Sequence, residues 1–136
     1  MRIALDTNVL ISAYITRGLS SDVFRYILVD HELVLSEQVL GEFARILESK
    51  FGVPKKHVAE FVRELRQHHV EPLPTNEIGY DVVRDPDDRI VLHSAINAKA
   101  TILITGDRDL LDVSDNITQV KVQTPRQFWE SIRTGK

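Results

Sequence analysis

Two aspartates each follow a short apolar run near opposite ends of the chain. Arg2-Ile3-Ala4-Leu5 precedes Asp6, and Thr101-Ile102-Leu103-Ile104-Thr105-Gly106 precedes Asp107. If both runs are parallel strands, their carboxyl ends share one sheet edge, and open α/β sheets bind ligands beyond that edge. Glu42 and Asp88 stand at helical positions between them. Four carboxylates in one cleft form an oxygen-only donor set, which suits a hard divalent cation, Mg²⁺ or Mn²⁺. Two carboxylates ~5 Å apart repel by about 3 kcal/mol at an effective dielectric of roughly 20. Such repulsion raises pKa values or drives the side chains apart. A divalent counter-charge reverses its sign. Asn8 and Thr105 are placed to orient these acids, although Asn8 serves a turn equally well.

Each acid also has a local explanation. Asp6 at a strand-to-helix junction is a natural N-cap. Asp107 in Gly106-Asp107-Arg108-Asp109 is a turn or cap before Leu110 and Leu111. Asp85, Asp87 and Asp88 all complement a helix N-terminus. Glu42 reads as a solvated residue able to pair with Arg45. No single position decides between cap and ligand. Their joint placement does.

The elements that must bring them together follow from periodicity. Residues 2–5 read as a buried strand, and Thr7 to Tyr14 continues as a helix capped near Asp6 or Thr7. Gly18 breaks that helix, and Ser20 or Ser21 is expected to cap the next, with Val23, Phe24, Ile27 and Leu28 on its apolar side. Glu32 to Leu35 is a second strand. Ser36 is expected to cap a long helix carrying Val39, Leu40, Phe43, Ile46 and Leu47. Gly52 and Pro54 separate it from a helix with Val58, Phe61, Val62 and Leu65. Val70 to Leu73 is a weaker strand, since Pro72 and Pro74 belong at an edge or end. Asp85-Pro86-Asp87-Asp88 opens a helix to about Lys99, the strand at Thr101 to Thr105 follows, and Ile117, Val120 and Val122 suggest a last strand. Thr124-Pro125 begins a final helix. Alternating strands and helices imply an α/β fold, a mostly parallel sheet of four to five strands covered on both faces.

The 136 residues make about one domain. With 43% hydrophobic and 27% charged residues, the composition is that of an ordinary globular chain. No apolar run is long enough for a membrane span. There is no cysteine, which excludes disulfides and thiolate metal sites and fits a cytoplasmic location. The net charge of −3 supplies no global field for nucleic acid, so a polyanion would need local basic residues or bound cations.

Four segments together resemble the PIN-domain family: Ala4-Leu5-Asp6-Thr7-Asn8-Val9-Leu10, Ser36 to Phe43, Asp85-Pro86-Asp87-Asp88-Arg89-Ile90, and Ile104-Thr105-Gly106-Asp107-Arg108-Asp109-Leu110-Leu111. The similarity spans nearly the whole chain and is nearest to the small prokaryotic single-domain branch. It implies one three-layer α/β/α domain over residues 1–136. It also implies Mg²⁺- or Mn²⁺-dependent endoribonuclease activity, with Asp6, Glu42, Asp88 and Asp107 as the catalytic and metal-holding quartet. Asp87 and Asp109 are acidic neighbours within the same motifs. A single-stranded RNA substrate, a homodimer and a protein antitoxin are further implications of that branch.

On this reading Arg17, Arg84, Arg89 and Arg108 lie near the cleft in sequence and are positioned for phosphate contacts. Lys55, Lys56, Arg63 and Arg66 form either a basic face or a merely solvated one. Tyr14, Phe24, Tyr80 and Trp129 are the aromatic residues available for stacking on bases, though most read as core. The five histidines read as surface or partly packed groups. Two other functions compete: a catalytically silent interaction module of the same fold, and an acidic-pocket phosphotransfer protein. The latter is disfavoured because Asp6-Thr7-Asn8 lacks the second aspartate of a phosphatase signature, and Asp6 is not paired as in a receiver domain.

Overall fold

The fully apolar runs become the centre of the sheet. In the computed structural model, which describes residues 1–75 and 82–135, β1 (Arg2–Leu5) leads through Asp6 alone into α1 (Thr7–Ile15). Then follow α2 (Leu19–Asp30), β2 (Glu32–Ser36), α3 (Glu37–Ser49), α4 (Lys55–Leu65), β3 (His69–Glu71) and α5 (Pro86–Asn97). The chain ends with β4 (Ile102–Ile104), the short α6 (Arg108–Leu111), a 3₁₀ turn (Ser114–Asn116), β5 (Lys121–Gln123) and α7 (Pro125–Arg133). Among the described residues the sheet has five strands in the order β3-β2-β1-β4-β5, and every pairing is parallel.

Register and pleat decide what covers the sheet. Leu103 and Val122 point to one face and Ile102, Lys121 and Gln123 to the other, because side chains alternate along a strand. Val91, Ser94 and Ala95 of α5 line a small void with Ala4, Val34 and Leu103 on the first face. Tyr26 of α2 and Phe128 of α7 line a cavity with Ile102 and Gln123 on the second. Helices therefore cover both faces, giving three layers. No described helix is long and apolar enough to cross a membrane.

Two local expectations are corrected. The second helix starts at Leu19 behind Gly18, which offers no side-chain cap, so neither Ser20 nor Ser21 caps it. The last strand is confined to Lys121–Gln123; Ile117 is buried at the end of the 3₁₀ turn and packs without pairing. Ser36 caps α3 as expected, accepting from the Val39 N–H at 3.1 Å. Thr124 and Gln127 form a reciprocal capping box at α7.

The topology reverses between β1 and β4. From β1 the chain steps outward through β2 to β3, then returns to the other side of β1 as β4. A crevice opens at such a switch point, beyond the carboxyl ends of the two strands. Leu5 stands opposite Ile104 in register, so Asp6 and Thr105 emerge side by side.

Candidate metal centre

The caps and the cluster are the same residues. Asp6 caps α1 by accepting from the Thr7 N–H at 2.7 Å through Oδ1, which leaves Oδ2 facing β4. There the Thr105 hydroxyl donates to Oδ2 at 2.7 Å, and the same hydroxyl accepts from the Asp107 N–H at 3.0 Å. Asp107 in turn caps α6, accepting from the Asp109 N–H at 2.8 Å. Thr105, fully buried, thus ties together the acids that follow β1 and β4. Capping fixes one oxygen of each carboxylate to backbone; the other oxygen of Asp6 accepts from Thr105, and Asp107 Oδ2 is left to the cluster.

Asp88 completes the trio from the first turn of α5. Asp6, Asp88 and Asp107 each offer one oxygen, all within 4.8 Å of one another. Asp88 is 7% exposed, and its Oδ2 is buried without a hydrogen-bond partner. Among the described residues no basic side chain forms an ion pair with any of the three. Burial raises the Asp6 pKa despite the Thr105 and Thr7 hydrogen bonds. Burial and then the nearby charges of Asp107, Asp85 and Asp6 push Asp88 up to about 7. An orphaned buried oxygen among like charges, in an all-oxygen set, fits a divalent cation of the Mg²⁺ or Mn²⁺ kind.

A second group shares Asp88: Asp85, Asp88 and Asp109 also bring oxygens within 4.8 Å. Asp85 was expected only as part of the helix-opening turn. It does cap α5, accepting from the Asp87 N–H at 2.8 Å.

The remaining sequence candidates divide clearly. Glu42 lies beside the trio rather than within it. Its Oε1 accepts from the Thr7 hydroxyl at 3.3 Å, and its pKa is raised by burial, by Asp87 and by Asp6. Asp87 is exposed, and its carbonyl accepts from the Gln38 amide at 3.2 Å. Thr105 hydrogen-bonds Asp6 and the Asp107 backbone. Asn8 does not: it is exposed and lines a cavity of about 310 Å³ with Ile15, Ile46 and Phe51. Thr7, which the sequence reading considered only as a cap, is the residue that contacts both Asp6 and Glu42.

Of the arginines, Arg17 and Arg108 are exposed, and Arg108 reaches Asp112 only at 3.9 Å. Arg84 pairs with Asp109 at 2.8 Å. Arg89 spends its Nε on the Val83 carbonyl. Just past α4, Arg66 is held by Glu37 through two bonds of 2.7 and 2.9 Å. The aromatic residues are mostly structural. Tyr14 packs against Phe24, Phe43 and Phe61 with ring centroids 5.5, 5.1 and 4.9 Å away, and burial with nearby Glu64 raises its pKa to about 12. Trp129 packs edge-on to Tyr26. Tyr80 lies outside the described residues.

Known families and solved structures resemble this chain in sequence and fold. A family model described as PIN domain matches residues 2–109. An uncharacterized protein of Methanocaldococcus jannaschii is 28% identical over 150 residues, covering 97% of this chain and 92% of that one. Among solved structures, the fold is similar to VapBC2 from Rickettsia felis, bound to a DNA fragment from their promoter. That likeness has a TM-score of 0.65 at 14% identity and covers 91% of this chain and 98% of the other. It is also similar to VapC20 of Mycobacterium tuberculosis, described as a sarcin–ricin loop cleaving toxin. Here the TM-score is 0.56 at 15% identity, covering 88% and 98%.

Proposed function

The chain belongs to the PIN-domain family, and on that premise we propose that it is a divalent-metal-dependent endoribonuclease. Its substrate is single-stranded RNA, and its role is that of the toxin in a toxin–antitoxin pair. The observation that carries this reading is the trio Asp6, Asp88 and Asp107, delivered by three separate elements to the switch point of the sheet. The similarity in fold to a toxin described as cleaving the sarcin–ricin loop supports an RNA substrate. The similarity to a VapBC assembly supports a protein antitoxin. A homodimer and a cytoplasmic location complete the proposal.

Asp6, Asp88 and Asp107 would hold Mg²⁺ or Mn²⁺. Such an ion, when bound, polarises a phosphoryl oxygen and lowers the pKa of the attacking water. The chain's own residues do the positioning. Thr105 locks Asp6 Oδ2 and the Asp107 backbone together. Asp88 Oδ2 is the donor with no competing partner. Glu42, steered by Thr7, stands at the rim with a raised pKa and can accept the proton of the attacking water. Arg17 and Arg108, both exposed and the latter only loosely paired with Asp112, are placed to meet phosphates.

The deciding experiment is a cleavage assay on defined single-stranded RNA and DNA, with Mg²⁺, Mn²⁺ or chelator. Wild type should cleave RNA only with metal, and Asp6→Asn and Asp107→Asn should not cleave. Undiminished cleavage by folded Asp6→Asn, purified free of contaminating nuclease, would falsify the assignment. Metal binding without any cleavage would favour the silent interaction module instead.

A further inference from the structure

The Asp85–Asp88–Asp109 group differs from the neighbouring trio in already having a positive charge. Arg84 Nη2 donates to Asp109 Oδ1 at 2.8 Å, although the Arg84 side chain is 82% exposed. So exposed an ion pair contributes little to stability and exchanges easily. The chain on either side of Arg84 is anchored by packing and hydrogen bonds. Val83 is fully buried with its carbonyl taken by Arg89, and Asp85 caps α5. The Arg84 side chain itself stands in solvent, held by Asp109 alone among the described residues. Meanwhile Asp88, common to both groups, keeps its buried Oδ2 without a partner.

Building on the proposed function, we propose that Arg84 is a resident counter-charge. Its guanidinium occupies Asp109 and weakens cation binding at the Asp85–Asp88–Asp109 group until a substrate phosphate draws it away. Guanidinium and cation compete for the same carboxylate and repel each other. A phosphodiester offers the guanidinium a two-pronged acceptor with a full negative charge. Each of the two ligands therefore favours binding of the other, as linkage requires of two sites that share a switchable group.

Manganese titrations of the full chain, followed by electron paramagnetic resonance and calorimetry at low, constant ionic strength, test this directly. The proteins are wild type, Arg84→Gln, Arg84→Lys and Asp109→Asn, each with and without a nuclease-resistant phosphorothioate oligoribonucleotide. Wild type should take one ion tightly and a second weakly. Arg84→Gln should bind the second about tenfold more tightly, the size of effect expected when one nearby positive charge is removed from a divalent ion in a solvated site. Arg84→Lys should gain less, and Asp109→Asn should lose the second ion. The oligonucleotide should tighten the second ion in wild type and change Arg84→Gln little. If Arg84→Gln binds manganese no more tightly than wild type, the counter-charge role is overturned while the trio's metal site stands. If wild type binds no manganese, the proposed function and this inference fall together.

Discussion

Asp88 and Glu71 are both buried carboxylates, 7% and 8% exposed. Both also connect to α5, yet the fold treats them in opposite ways. Glu71, at the end of edge strand β3, has both oxygens occupied. Asn97 of α5 donates to Oε1, and His69 Nε2 lies 2.8 Å from Oε2. Asp88 leaves Oδ2 without a partner and is surrounded by Asp6, Asp85 and Asp107. A carboxylate satisfied by its own chain is a clamp, here joining the sheet edge to a helix. A carboxylate given burial and like charges costs stability, since neither desolvation nor repulsion is compensated locally. The difference separates an acid that serves the fold from one that serves chemistry.

The strongest way to break that contrast is to remove each acid in turn. Asp88→Asn should lower RNA cleavage at least about a hundredfold, the loss expected when a preorganised electrostatic contact to the reacting group is removed. The same change should raise the thermal stability of the metal-free protein. Glu71→Ala should do the reverse: it should cost about 1–2 kcal/mol by removing the hydrogen bonds that tie the Asn97 amide and the His69 ring to the end of β3. Its stabilisation by Mg²⁺ should be unaltered. Thermal denaturation with and without Mg²⁺ reads both. Destabilisation by both variants would erase the distinction.

The contrast also explains what the sequence disclosed. Asp6 and Asp107 were legible because buried parallel strands read as continuous apolar runs, and each acid sits just past one. Asp88 was legible from Asp85-Pro86-Asp87-Asp88, but the string could not say which acids turn inward. Successive helical residues point about 100° apart, so Asp87 faces out while Asp88 is buried. Asp85 was hidden behind its capping role, which uses only one of its oxygens. The same rotation carries Asn8 away from the site that Thr7 faces. Glu42 was placed in the cleft by helix arithmetic that cannot resolve the last few ångströms. Arginine partners were not legible at all, because long side chains choose among acids that only the fold brings near. Gly18 replaced the expected serine caps because α2 begins before either serine is reached.

Thr105 sharpens the comparison at smaller scale. Its hydroxyl holds Asp6 Oδ2 while the Thr7 N–H holds Oδ1, so Asp6 is oriented from both sides while Asp88 beside it keeps an oxygen open. Thr105→Val keeps the shape and removes the hydroxyl. Manganese affinity and cleavage should each fall about tenfold to a hundredfold, the usual penalty for losing an outer support of a metal ligand. A fall in stability with unchanged manganese affinity would mark Thr105 as a strand-end clamp and no more.

The smallest effect is the pH dependence of the metal-free protein, and its sign follows from Asp88. In the folded state this group titrates at about 7, against 3.8 for an ordinary aspartate. Between those values the folded protein keeps a proton that the unfolded chain has released. Native stability is therefore greatest below pH ~4 as far as this group contributes, declines as pH rises, and levels off above pH ~7. Because the site borders solvent, the total decline should be near 1 kcal/mol, roughly 3–5 °C in Tm for a domain of this length. Asp6 and Glu42, also raised, add to the same slope. Asp88→Asn should flatten most of it. Adding Mg²⁺ should oppose it, since cation binding displaces the retained protons and strengthens as pH rises through 7. Melting curves from pH 4.5 to 8.5, with and without Mg²⁺, measure both slopes. A metal-free Tm that climbs toward pH 8 would mean that Asp88 is ionised and satisfied in the fold, as Glu71 is satisfied by Asn97 and His69, and the two carboxylates would no longer differ in kind.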